Sequence, residues 1–478
     1  MAVHASPPTR ILSVVAMSAC VSHTAGHAAS PIADQVSLTE SKATWRTVKY
    51  ATDAENGFVS GSLDKKTIID RTFKTYVLEN RYLKVTLVPE FGGRILSIIY
   101  KPTGHEELYR TQVGVPYGNK AGNFYYNWLM VYGGIFPTFP DAEHGKTWLK
   151  PWIFKSVRET ADEVTVSMSL TDNFAYSQAP EKFRSGFTGI EATYYVTLKS
   201  DRSALDARVV LKNPQSKTLQ YEYWTCTTLA PGSDPKHPQT TGNAEIIAPI
   251  EAYTTPSWST NIAGGDKGAG PGKYRFEKLR YFKNWSTMGI AYAAPDMQGG
   301  NFWGVISHDN EEGIIRIADN TVTPGLKMWT WGFPSFTTKT GARKDPTEQQ
   351  PYIELWAGVS DQFFHSVEFP ALGEVSIPET YSPTVGMSNV THANENILLN
   401  LSVEASRVNV QFFSIEPATP LRVTLKRNDS VFFSERVKAD PKNGNSISAG
   451  LPTGRGPVQL TIRTTDGKEL IAAEANIR

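Results

Sequence analysis

Read as a string of apolar and polar positions, the chain is a succession of short alternations. TYVLENRYLKVTLVPEFGGRILSIIY, from Thr75, alternates in bursts, and VTVSMSL, EATYYVTLKS, DARVVLKN, YEYWTCTTL, FWGVISHD and YIELWAG continue the pattern. Asn213-Pro214, Gly264-Gly265, Gly299-Gly300 and Pro324-Gly325 mark turns between them. Long 3.6-period apolar stripes with caps are missing. The pattern predicts an all-β body, too long for one immunoglobulin-type sandwich and of the size of a large double-sheet domain. Pro31 to Lys74 reads as mixed and polar, with no strand assigned.

The character changes after Phe369. ALGEVSIPETYSPTVGMSNVTHANEN is rich in Pro, Ser and Thr, and ILLNLSVE, VNVQFFSIE, LRVTLKR and VQLTIRT follow. These alternations predict a small C-terminal β-sandwich over residues 394–478. It lacks a cluster of catalytic residue types, so its expected role is accessory. The stretch NIAGGDKGAGPGKY, 261–274, has glycines in no phosphate-binding order and reads as a surface loop.

Composition narrows the partners. The 478 residues hold 48 Lys plus Arg against 47 Asp plus Glu, a formal net charge of +1. That balance gives no electrostatic reason to expect nucleic acid or an anionic membrane. Aromatics make up 11% of the chain, with 11 Trp, enough to stack on ligands as well as fill cores. At the N-terminus, Arg10 precedes the apolar run ILSVVAMSA, and small residues follow to Ser30. The run is too short to span a bilayer and fits a secretory signal peptide over residues 1–29, cut near Ala28 or Ala29. The expected location is periplasmic or outer-membrane-associated. Cys20 is a candidate lipid-anchor site, although Met17 makes a poor lipobox. If Cys20 leaves or is acylated, Cys226 is alone, which excludes an intrachain disulfide and a thiolate metal cluster.

Three segments concentrate unusual chemistry. YIELWAGVSDQFF alternates like a strand that sets Glu354 between Tyr352 and Trp356 on one face. A carboxylate among rings suits a sugar, which offers hydroxyls at its rim and C–H faces to stack on, and it is a candidate general base. GLKMWTWGFPSF places Lys327, Trp329 and Trp331 on a second face; the lysine argues against deep burial, because an unpaired ammonium is costly to desolvate. GGIFPTFPDAEHGKTWLKPW, 133–152, is non-periodic and reads as a shaped loop carrying Asp141, Glu143, His144 and Trp148. His144 is either a turn cap or a cleft group able to exchange a proton near neutral pH.

NRYLKVTLVPEFGGRILSIIYKPTGHEELYR (80–110) resembles the opening of galactose-mutarotase-like proteins, where a Gly-Gly-Arg turn joins the first strands of a β-supersandwich. GGIFPTFPDAEHGKTW resembles the Gly-Gly-Ile-Pro…His-Gly…Trp segment of aldose epimerases. LKMWTWG with YIELWAGVSDQFF resembles the closing half of a bacterial domain family of unknown function with that fold. The likeness covers roughly residues 45–385. It implies Glu354 as general base, His144 as a substrate contact and Arg94 as a sugar ligand. The family's second histidine has no counterpart in LQYEYWTCTT, which offers Glu222, Tyr223 and Trp224 instead.

Three functions follow as expectations. The leading one is an exported enzyme that cleaves an oligo- or polysaccharide, as a glycosidase or a lyase. Glu354, His144 and Tyr223 would be its catalytic groups, with Arg94, Asp141, Glu222, Trp224, Lys327, Trp329 and Trp331 as saccharide ligands. The others are an aldose 1-epimerase and a non-catalytic glycan-binding protein. No cofactor is called for, and no acidic loop has the ligand density of a calcium site.

Overall fold

The computed structural model describes residues 35–52, 59–114, 133–144, 147, 150–174, 187–260, 262, 268–333, 352–404, 406–417 and 420–476. Residues 1–29, expected to be a signal peptide, together with Cys20, Trp148 and part of the Gly-rich stretch, lie outside the described residues. The chain is all-β, as the alternation predicts.

Among the described residues the largest sheet has 13 strands. Its centre runs Gly289–Ala293, Gly325–Thr330, Ile353–Gly358, Trp224–Ser233, His105–Leu108, Arg94–Tyr100 and Leu83–Val88, all antiparallel. The short strand Ile135–Thr138 pairs with both Trp224–Ser233 and Arg94–Tyr100. A second sheet of eight strands, from Ala244–Ile247 to Ile153–Glu159, packs against one face. Leu87, Ile95, Leu326, Met328, Ile353 and Leu355 from the large sheet meet Val166, Val196, Val209, Val305 and Ile315 from the second in one apolar core. Because side chains alternate along each strand, the residues between these positions face the other way, and that outer face carries the chemistry described below.

Two four-stranded sheets follow after His392 and enclose a core of their own around Leu399, Val410, Val423 and Leu460. Met387, Val390, Leu398, Phe413 and Ile415, however, belong to the large inter-sheet core. Arg202 donates to the carbonyl of Glu395 at 3.1 Å, and Ser203 N–H donates to that of Ile415 at 2.9 Å.

The polar segment before Thr75 departs from the sequence reading. Ser37–Thr52 and Val59–Glu79 form a long antiparallel hairpin at the edge of the large sheet. Lys42, Thr44 and Arg46 are exposed while Trp45 and Val48 are buried. With so few apolar positions, this ribbon is held by its backbone ladder more than by an apolar face, so periodicity alone passes over it.

Gly92 and Gly93 have φ of 77° and 59°, a region that favours glycine. A Cβ on Gly93 would lie 2.6 Å from the Trp152 ring. This turn fixes where Arg94 enters its strand.

Candidate functional site

The site is built by strand alternation on the outer face of the large sheet. Ile353–Gly358 lies between Gly325–Thr330 and Trp224–Ser233. Register places Trp329 opposite Glu354 and Lys327 opposite Trp356 on one side, and Thr228 and Cys226 opposite the same two residues on the other. Phe136 stands opposite Cys226 on its other neighbour.

Glu354 is the centre of this arrangement. Lys327 Nζ donates to its Oε1 at 2.7 Å, Trp356 Nε1 donates to the same oxygen, and Tyr352 OH donates to Oε2 at 3.3 Å. The Lys327 ammonium lies 4.5 Å from the Trp356 ring centroid, 5.2 Å from Phe363 and 5.5 Å from Trp329. Lysine and carboxylate are both buried, at 3% and 4% exposure. The expected shallow lysine is therefore corrected: an ion pair and three rings offset a desolvation that an unpaired ammonium would not withstand.

His144 reaches the same place from the irregular loop after Phe139. Its ring meets Trp356 edge-on at 4.9 Å and stacks on Phe136 at 6.0 Å. A nitrogen of His144, Cys226 Sγ and an oxygen of Glu354 lie within 4.8 Å of one another. Burial, then the positive charges of Lys327 and Arg94, pushes the imidazole well below its ordinary range, so it is neutral at pH 7. Burial and the Glu354 charge push the Cys226 thiol up, so it stays protonated. The trio has the donor types of a zinc site. Lys327 already occupies the carboxylate, and Arg94 is a second cation nearby, so the local charge opposes a divalent ion.

Arg94 is fully buried, with its guanidinium 4.0 Å from the Phe136 centroid and 4.9 Å from Phe91. It donates to the Phe91 carbonyl at 3.3 Å and to that of Gly133. Glu222, buried beside Trp224, accepts from Trp224 Nε1 at 3.3 Å and from Phe364 N–H at 3.0 Å. Asp141 is half-buried on the His144 loop. Trp329 and Trp331 are half-buried and T-shaped at 5.1 Å.

The sequence profile of a family described as "Domain of unknown function (DUF5107)" matches residues 62–379, about two thirds of the chain. The chain belongs to this family. A second profile, "YphG-like protein, second domain", matches residues 392–473. Among solved structures, a TPR-domain containing protein from Parabacteroides distasonis shares the fold at TM-score 0.58 and 18% identity, over 75% of this chain and 57% of that one. The match thus spans little more than half of that protein's length. A galactose mutarotase-like protein from Clostridium acetobutylicum matches at TM-score 0.44 and 12% identity, over 66% and 96% of the two chains. One from Lactobacillus casei gives 0.40 and 12%, over 65% and 99%.

In this DUF5107 chain the geometry brings together Glu354, His144, Lys327, Trp329 and Arg94, while Glu222 is held by Trp224 and Phe364. It does not bring Tyr223. That hydroxyl bonds Thr225 Oγ1 at 2.8 Å inside the inter-sheet core, beside Glu379 and Arg316. Residues 223 and 224 point to opposite faces of the sheet, and Trp224 takes the outer one. Trp224 is itself fully buried against Gly325 and Gly358, so it forms the floor of the site and offers no open stacking surface. Sequence reasoning missed Cys226, Phe136 and Phe363. The signal for Cys226 was available, since it lies two positions from Trp224 on one strand face.

Proposed function

We propose that this protein is a carbohydrate-active enzyme that cleaves a saccharide chain by proton transfer at Glu354 and His144. The observation that carries the reading is a carboxylate ringed by Trp356, Tyr352 and Trp329, with a neutral imidazole and an ammonium in reach. Of these rings the half-buried Trp329 offers a face to pyranose C–H groups, and the polar groups address hydroxyls or a carboxylate. His144 and Glu354 lie within 4.8 Å of each other, close enough to act on one edge of a bound sugar. A neutral base beside Lys327 and Arg94 suits elimination from a uronate, where the cations stabilise charge that develops on the carboxylate. Hydrolysis would enlist Glu222 as the second carboxylate. The rings also continue outward: Trp258 is 58% exposed, and its ring lies 6.4 Å from Trp329.

The test is incubation with uronate-containing and neutral glycans. Ultraviolet absorbance reports an unsaturated product, new reducing ends report hydrolysis, and polarimetry on monosaccharides reports epimerisation. Glu354→Gln should lower the cleavage rate by ~10²–10⁴-fold. Cleavage at the wild-type rate in that variant, or accelerated mutarotation with no cleavage, would sink the proposal.

A further inference from the structure

A cavity lies on the same outer face, lined by none of the residues of the Glu354 cluster. Its volume is about 360 Å³, and it is walled by Trp45, Leu96, Thr86 and Gln112 with the cations Arg46, Arg110 and Lys236. That volume is in the range of small-molecule sites. Among the described residues three positive side chains line it and no carboxylate does.

Two of its walls are fixed in advance. Trp45 Nε1 donates to the Thr111 carbonyl at 3.0 Å, which holds the indole in place. Arg110 donates to Glu106 Oε2 at 2.9 Å and to the Pro235 carbonyl, so its guanidinium is positioned before any ligand arrives. Glu106 is itself fully buried and accepts from Ile98 N–H at 2.8 Å and Leu108 N–H at 3.1 Å. Arg46 and Lys236 are exposed, and neither has an ion-pair partner among the described residues. The cavity therefore sets two exposed cations beside an aromatic wall and the hydrogen-bonding side chains of Thr44, Thr86 and Gln112.

We infer that this cavity binds a small polyhydroxylated anion, a sugar carrying a carboxylate or a phosphate. The cations meet the acidic group, and the amide and hydroxyls meet the ring. The inference does not depend on the reaction proposed at Glu354.

Isothermal titration with glucuronate, glucose 6-phosphate, glucose and inorganic phosphate tests it on the full chain, alongside Glu354→Gln. At least one of the two sugar acids should bind, more weakly as salt is added, while glucose gives no heat. The double variant Arg46→Glu/Lys236→Glu alters two exposed positions and should keep its thermal midpoint. Its affinity for the sugar acid should fall roughly tenfold or more. Binding at the Glu354 cluster would show the opposite pattern, surviving the charge reversal and falling in Glu354→Gln. Binding that survives the charge reversal, or is lost in Glu354→Gln, overturns the inference. So does inorganic phosphate binding as tightly as the sugar acids, or none of the probes binding. The comparison of glucuronate with glucose 6-phosphate tells which acidic group is preferred.

Discussion

Replacing Lys327 by methionine keeps the length of the side chain and removes its charge. Glu354, at 4% exposure, would then retain only the Trp356 and Tyr352 donors. Removing one partner of a buried ion pair costs ~3–5 kcal/mol, because the other charge stays desolvated. The neighbouring Trp356, Phe363 and Trp329 rings add to the loss, since they contact the cation within 4.5 to 5.5 Å. A double variant, Lys327→Met with Glu354→Gln, removes both charges and should recover most of that stability, because an uncharged pair carries no ionic desolvation cost. The assay is urea unfolding followed by tryptophan fluorescence, with midpoints compared at a common slope. Lys327→Met should be the less stable of the two variants by ~2 kcal/mol or more. Should it instead match wild type within ~0.5 kcal/mol, or should the double variant lose the sum of both single effects, the buried-pair account is wrong.

Three further outcomes follow from other parts of the fold. Burial, with Glu312 and Glu106 nearby, pushes the Glu107 carboxyl well above its ordinary value of 4.5. A raised carboxyl stabilises the fold below that value and loses its contribution as pH rises through the folded-state pKa, so Glu107→Gln should raise the thermal midpoint at neutral and alkaline pH but not near pH 4. An equal shift at every pH would contradict this. Gly358→Ala would set its Cβ 2.3 Å from the Trp224 ring, which is fully buried, and should cost ~1–3 kcal/mol in urea titrations. Tyr223→Phe removes a hydroxyl in the inter-sheet core, so it should cost ~0.5–1.5 kcal/mol while leaving kcat/KM on any glycan substrate unchanged. A loss of activity without loss of stability would return Tyr223 to the site.

What the sequence disclosed follows from the range of its signals. Glu354 between two rings is a period-2 fact inside one strand, and the Gly-Gly turn before Arg94 is equally local. The Lys327 partnership is not, because its two residues are 27 positions apart and meet only through strand register. YEYWTC offers aromatics in both phases of the alternation, so the face taken by Trp224 over Tyr223 is decided by the neighbouring strands. The hairpin Ser37–Glu79 escaped because its polar positions outnumber the buried ones. The His144 loop was legible as irregular but not in its aim, since the placement of its imidazole depends on Phe136 and Trp356 from other strands.

Met387, Val390, Leu398, Phe413 and Ile415, although at or beyond the end of the large body, fill its interior. A fragment ending near Val385 would therefore lay bare an oily seam, and it should precipitate where the intact protein stays dispersed. Calorimetry of the whole chain should give one melting peak, since the terminal sheets cannot let go without opening the seam. The same joint restrains gene shuffling: the terminal module can be exchanged only for one that brings matching plugs.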